Sequence, residues 1–563
     1  MSNLARVARR RARNGPELRP PDRRRLRFLL FLLAVVPFLN GLPNDFTYDD
    51  LPVVRDDPRL AGPSRAGELL TTGYWGDSSD VYRPLVLLTY AVQRWVHGPS
   101  PAAFRAVNVL LHAGVALLLL ELFLALGFRE RSCAVATALF AVMPIHAEAV
   151  TSVVGRAEVL AAGLSLLSAL AYLRASREAA GRLRWGALSV VAFGLALLSK
   201  ESAAALPAIL LVVELFRDEP SLRPGRRARV ATVAGLGALL VGGFLGLRLV
   251  VLGGALRAPT ALPTELTNPV ASLPPALRVL NGSDLLWLYA AKCAVPYRLS
   301  ADYSSAAIPV LRELGRPRAW VGLLAWTAIV VGALRLRRTW PEAAFGPLYF
   351  LSAFLVTANV AFPIGAAFAE RLAYLPSAGV ALTLGAVLDR AGTALASRTA
   401  RPRSGLLPAV AVVIGLLPLT LLRNRDWKDD RTLYESVVRA QPRSARGHYL
   451  LAFDSYRRGD LPSAETSLGR ALGLHRRFPN AWDLLGEVLW RQGRYREAIE
   501  AQRTNVELFP DSVDARLYLA LWTARTGRAN EARRILEEGA ARFPSRKEFR
   551  RALDELGGAP LAR

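Results

Sequence analysis

Apolar and polar residues fall into two regimes that meet near residue 423. Before that point, long apolar runs alternate with short polar joints, at about 26–42, 104–126, 133–149, 158–174, 185–199, 202–216 and 230–252, then 319–335, 343–362, 372–389 and 405–422. Runs of this length predict about 11 membrane-spanning helices. The shortest, near 15 residues, make about 23 Å of helix, so they require local thinning of the bilayer or burial in the bundle rather than tilt. A further run at 284–297 would, if it crossed, put Arg335, Arg337 and Arg338 on the opposite side from the other arginine clusters. It is therefore predicted as an interfacial or re-entrant helix.

After residue 423 the pattern turns periodic. Gly459, Gly493 and Gly527 are spaced by 34 residues, as are Ala464, Ala498 and Ala532, and Ala452, Gly486 and Ala520 keep the same interval. That period, with Trp482, Leu485, Gly486, Ala498 and Pro510 in the second unit, is the tetratricopeptide repeat, two helices per unit stacked into an α-solenoid. Three repeats are expected over 445–545, preceded by a linker and half repeat at 424–444 and followed by a cap or tail at 546–563. Such a stack presents a concave groove, read as a surface that binds a peptide or presents an acceptor; the plainer alternative is a spacer or dimerisation module.

With 52% hydrophobic residues and a mean hydropathy of +0.24, the chain is neither disordered nor collagen-like. Its net charge of +26 would suggest nucleic acid in a soluble protein. Here the arginines sit in clusters between apolar runs, at Arg129 and Arg131, Arg174 to Arg184, Arg217 to Arg229, Arg335 to Arg338 and Arg390 to Arg403. All fall on one side of the predicted bundle, so they report topology and no nucleic-acid partner is expected. The basic segment 1–25 then stays cytoplasmic and the repeats lie on the opposite, outer face. Cys133 and Cys293 both lie in apolar stretches, which excludes a disulfide framework or zinc fold. Positive charge carried almost wholly by arginine, together with so few repeats, points to a bacterial inner membrane with a periplasmic tail.

Candidate chemistry gathers in the outer joints. The loop 43–101 carries Asp45, Asp49, Asp50, Asp56, Asp57, Glu68, Asp77 and Asp80. One of the adjacent pair Asp49 and Asp50 is a candidate general base toward a hydroxyl, its pKa raised by like charge, although composition alone favours a solvated acidic loop. Arg83 after Tyr82, Arg156, Lys200 and Arg371 all lie at outer ends, where they could surround one anionic headgroup. His112, one turn beyond Asn108, with His146, Glu148 and Glu370, are polar groups in costly positions and are candidates for orienting a substrate, or for helix-to-helix hydrogen bonds. No residue set defines a metal site, while spare carboxylates in the first loop leave a divalent metal open. No nucleotide-binding glycine loop or Ser-His-Asp arrangement is present.

The ordered set of Phe46-Thr47-Tyr48-Asp49-Asp50, Tyr82-Arg83-Pro84-Leu85, Asn108 to His112, Pro144 to Val150, Val154 to Glu158, Ser199-Lys200-Glu201, Thr267-Asn268-Pro269, Leu299 to Ser304, Ala369 to Ser377 and Asn424-Arg425-Asp426-Trp427 resembles the transmembrane and tetratricopeptide-repeat (TMTC) protein O-mannosyltransferases. These are a branch of the polytopic GT-C glycosyltransferases. The likeness spans about residues 26–545; Met143, Glu158 and Arg105 stand where the family usually has other residues. It implies an all-α chain, with a GT-C-type membrane helix bundle over 26–423, including the outer loop 253–318, followed by the repeats. It implies inverting transfer of a sugar, mannose, from a polyprenyl phosphate in the lipid membrane to Ser or Thr of an acceptor protein bound in the repeat groove. One carboxylate of Asp49 and Asp50 is then the base, with Asp49 preferred. Transfer to a glycan or lipid, or a non-catalytic scaffold built on the repeats, are the alternatives.

Overall fold

The computed structural model describes residues 20–76, 81–178, 180–217, 225–253, 264–315, 317–399 and 401–558. Asp77, Asp80 and most of the basic amino-terminal segment lie outside the described residues. Among those described there is helix and no strand. Two compact units result: Met1–Pro259 with Val270–Ala301 and Val310–Leu433, and Thr260–Pro269 with Asp302–Pro309 and Tyr434–Arg563.

Among the described residues of the first unit six helices are long and apolar enough to cross a membrane: Pro101–Ala125, Arg156–Arg177, Arg182–Ser199, Arg226–Val251, Ser377–Thr399 and Ser404–Arg425. A seventh candidate is the pair Glu130–Val142 and Pro144–Val150, bent by 50°. Proline disfavours helical backbone in the residue before it, so Met143 is extended and the predicted single run 133–149 breaks there. The predicted run 319–335 forms Arg318–Leu336, which is not among the six, and the predicted runs 26–42, 202–216 and 343–362 each give a shorter helix, Pro20–Val35, Leu206–Phe216 and Pro341–Ala353. The last stops early because the chain turns at Asn359, whose backbone is left-handed and whose side chain bonds the Ile364 N–H and the Ala366 carbonyl. The helix expected at 284–297 begins at Pro275 and runs to Ala294; it is not among the six. Its Trp287 and Trp326 rings lie 4.7 Å apart, which packs it against Arg318–Leu336.

The second unit has three helix pairs, Ala445–Arg457 with Leu461–Leu474, Pro479–Arg491 with Tyr495–Leu508, and Val513–Arg525 with Ala529–Arg542, closed by Lys547–Gly558. Gly459, Gly493 and Gly527 end the first helix of each pair with φ of 81°, 79° and 81°, a conformation that favours glycine and explains their 34-residue spacing. Asp430–Ala440 stands where the half repeat is expected. The sequence gives no sign that Leu266, from the loop between predicted spans, is fully buried in the core of the first pair, against Ala452, Leu468 and Phe478. Asp302 from the same loop accepts from the Ser304 and Ser444 hydroxyls, each at 2.6 Å, and so fixes the residue that caps Ala445–Arg457.

Candidate functional site

The two carboxylates that the sequence leaves equivalent are placed differently. The chain turns tightly after Phe46, with the Asp50 N–H on the Thr47 carbonyl at 2.9 Å. Tyr48 takes the left-handed conformation, φ 53°, unusual for a side chain of this size, and its N–H is held by Asp430 at 2.8 Å. That turn sends Asp50 inward and leaves Asp49 half-buried. Asp50 is fully buried, accepting from the Val154 N–H at 2.9 Å and the Ser152 hydroxyl at 3.1 Å. Arg105 stands 3.9 Å away and spends its donors on the carbonyls of Thr151, Asn44 and Asp45. Burial raises the Asp50 pKa against the pull of Arg105 and the backbone donors. Asp50 is thus a strut that ties the first loop to the turn before Arg156, with Arg105 as its partner.

Of the four candidate cations, three come together. Lys200 lies in the fields of both Arg83 and Arg371, and Arg371 in turn feels Asp49. Each cation is set by a helix end. Arg83 precedes Pro84–His97, Lys200 ends Arg182–Ser199, and Arg371 sits in the short turn Glu370–Ala373 before Ser377–Thr399. Each also has a carboxylate: Arg83 donates twice to Glu201, at 2.9 and 3.1 Å, Lys200 pairs with Glu158, and Arg371 pairs with Glu148. The Glu148 site lies in the turn after Pro144, and the Arg371 N–H also meets it, at 2.9 Å. Gly155 holds the next turn because a Cβ there would fall 2.4 Å from the Ala149 carbonyl oxygen.

Exposure grades the three. The Arg371 side chain is 35% exposed, that of Arg83 19% and that of Lys200 7%. Arg371 has the rest of its guanidinium without a hydrogen bond among the described residues. Burial holds the Lys200 ammonium down to about 8, partly offset by Glu158. Against the upward push of burial, the charge of Arg83 keeps Glu201 below the ordinary carboxylate range.

Arg156 is directed elsewhere. It is buried, donates to Asn108 at 2.8 Å, Gln93 at 2.7 Å and the Phe104 carbonyl at 2.9 Å, and lies over the rings of Tyr90 and Phe104. With its donors consumed, it braces Arg156–Arg177 against Pro84–His97 and Pro101–Ala125. His112 bonds the Tyr374 hydroxyl at 2.7 Å and His146 bonds Ser377 at 2.8 Å, inside a buried aromatic knot with Phe140. Glu370 is buried on the Ser300 N–H at 2.6 Å and Arg423 at 3.1 Å, and Tyr82 donates to the Leu70 carbonyl at 2.8 Å. Each of these four side chains is held by a hydrogen bond within the fold.

Two residues of the cluster carry no sequence signal of their own. Glu201 is legible only as the neighbour of Lys200. Tyr74 is buried, with Arg83 over its ring at 5.2 Å and Asp49 in electrostatic reach. Three more carboxylates of the first loop are engaged by arginines: Asp56 by Arg55, Asp57 by Arg59 and Glu68 by Arg65. Among the described residues no three His, Cys, Asp or Glu side chains gather as metal ligands.

Comparison with known proteins bears out the resemblance. The chain is 27% identical to mouse protein O-mannosyl-transferase TMTC4 over 77% of its own length and 64% of that protein's. It is 29% identical to human TMTC4, covering 74% of this chain and 62% of that one. It is 26% identical to the Caenorhabditis elegans protein O-mannosyl-transferase F38B6.6, covering 75% and 59%. The chain thus spans about three fifths of the length of each of these relatives. The family described as tetratricopeptide repeat matches residues 454–512 and 484–547. A crystal structure of the Archaeoglobus fulgidus oligosaccharyltransferase covers 71% of this chain and 52% of its own at 16% identity, but its TM-score of 0.37 is too low to carry an argument.

Proposed function

We propose that the chain is a membrane glycosyltransferase that moves mannose from a polyprenyl-phosphate donor to Ser or Thr hydroxyls of protein, on the membrane face that bears its repeats. The relatives' names supply the reaction class. One observation carries the assignment to residues: Asp49 is half-buried within electrostatic reach of Arg371, one of a cluster of three cations, while its neighbour Asp50 is sealed in the fold.

In this reading the Asp49 carboxylate takes the proton of the acceptor hydroxyl as its oxygen attacks the anomeric carbon. The bond from that carbon to the phosphate oxygen breaks on the opposite face, so configuration inverts. The departing polyprenyl phosphate gains negative charge as it leaves. Cations placed beforehand therefore stabilise the transition state more than the ground state. Arg371 is the first ligand to that phosphate because it is the most exposed of the three, with Arg83 and then Lys200 behind it. The paired glutamates Glu148, Glu158 and Glu201 hold the cations in place and keep them from repelling one another.

The test is mannose transfer from polyprenyl-phosphate mannose to a Ser/Thr-rich protein, in membranes containing the wild type, Asp49→Asn or Asp50→Asn. Loss of a general base costs about 10²- to 10⁴-fold. Asp49→Asn should lose that much rate with its melting temperature intact. Asp50→Asn should instead lose stability, by about 3–5 kcal/mol for a broken buried pair, and keep a measurable rate in the fraction that folds. A fully active Asp49→Asn would end the assignment, and absence of transfer by folded wild type would move the search to other sugars and acceptors.

A further inference from the structure

The second unit holds a groove that its repeat pattern does not by itself characterise. A cavity of about 360 Å³ lies along the first helices of the three pairs, lined by Tyr449, Phe453 and Tyr456, then Asp483 and Glu487, then Tyr518 and Trp522. A second cavity of about 510 Å³ shares Asn480 and Asp483 with it and adds Asp511, Asp514 and one cation, Arg477. The Phe453 and Tyr518 rings remain 40% and 44% exposed, although aromatic side chains are the ones a stacked repeat most readily buries. On a chain with a net charge of +26, no lysine or arginine among the described residues lines the smaller cavity.

The two carboxylates there are differently placed. Glu487 accepts from the Tyr456 hydroxyl at 3.0 Å and from Arg491 at 3.3 Å, and the Arg491 guanidinium lies 4.2 Å over the Tyr456 ring. The chain's own arginine thus displays how this surface takes a cation, by a ring face and a carboxylate together. Asp483 has no such partner. One of its oxygens accepts from the neutral amides of Gln502 and Asn505, at 2.9 and 2.8 Å, and the other has no hydrogen bond among the described residues. Burial and the charge of Asp514 raise its pKa, as expected of a carboxylate that lacks a counter-charge.

We propose that this groove takes an extended protein segment through one cationic side chain, an arginine or lysine, whose charge meets Asp483 and whose stem lies among the rings of Tyr449, Phe453, Tyr518 and Trp522. The inference rests on the reading of the chain as a protein glycosyltransferase and names the class of acceptor: Ser/Thr segments that carry a basic residue. Charge complementarity selects this occupant, since an acidic or wholly apolar segment would leave Asp483 buried without a counter-charge.

The test measures binding without any sugar donor. The full-length protein in nanodiscs of uncharged lipid is titrated with a fluorescent Ala/Ser/Thr peptide carrying a central arginine, and with its twin carrying citrulline, which keeps the shape and removes the charge. The arginine peptide should bind about tenfold tighter. That ratio should fall to near one in Asp483→Asn, whose amide oxygen still accepts from Gln502 and Asn505, and both affinities should fall in Tyr518→Ala, an exposed position. Equal binding of the two peptides by wild type, no binding by either, or an unchanged ratio in Asp483→Asn would each overturn the proposal. Discrimination without sugar transfer would overturn the transferase reading and leave the groove standing; transfer without discrimination would do the reverse.

Discussion

Around Arg371 every cation already has its carboxylate, with Glu148, Glu158 and Glu201 facing Arg371, Lys200 and Arg83. In the groove of the repeats, Asp483 meets only neutral amides and sits among aromatic rings. The first arrangement is complete before any ligand arrives, so its geometry is fixed and reorganisation during a reaction is small. The second is complete only when a cation enters, which suits capture of varied segments. The difference follows from how each region is built. Helix ends converging from distant parts of the chain can lock charges against one another, whereas a repeat surface offers the same few positions three times and little depth.

The largest expected separation between the two regions comes from Arg371→Ala. Removing one donor aimed at developing charge costs about 10²- to 10³-fold in rate, so transfer should fall by that much. Binding of the arginine peptide should stay within about twofold, because the groove does not use this residue. A parallel loss of both in folded protein would erase the distinction.

Leu266→Ala tests the other side. It removes a fully buried side chain from the core of the first helix pair, a change that costs about 2–5 kcal/mol. Protease digestion should cut the repeats of this variant well before those of wild type. Equal resistance would show that the loop segment is not part of the repeat core.

The smallest effect is a pH dependence carried by Lys200. Its ammonium, held down to about 8, begins to lose its charge as pH rises through that value, so donor KM should rise severalfold between pH 7 and about 9. Lys200→Arg should flatten that rise. Stability runs the other way: between about 8 and the unfolded value of 10.5 the unfolded chain holds more protons, so the folded state gains stability as pH increases. A wild-type donor KM that stays flat to pH 9 would remove Lys200 from the phosphate site.

Much of the fold is legible in the sequence because it is local. The 34-residue period marks glycines that must take positive φ, and apolar runs of about 20 residues mark helices. The first of the adjacent aspartates, the three clustered cations and the turn bearing Glu148 are also visible, as charged groups at the ends of apolar runs. Arg156 reads the same way in sequence as Arg371, yet one is enclosed by Asn108, Gln93 and Phe104 and the other pairs with Glu148 and feels the charge of Asp49. No pattern along the chain separates them, because the partners that consume an arginine's donors come from other helices.

The sequence by itself determined the helical elements, the repeat and the set of charged residues from which a site could be built, since each depends on spacing within a few turns. The tertiary structure alone decided which charges are buried. Asp49 and Asp50 differ by one position and by the turn at Tyr48 that buries the second. Leu266, Asp302 and Asp483 likewise take their environments from segments far away in the chain. Burial and pairing are set by what packs against a residue, and that is settled only when the chain closes on itself.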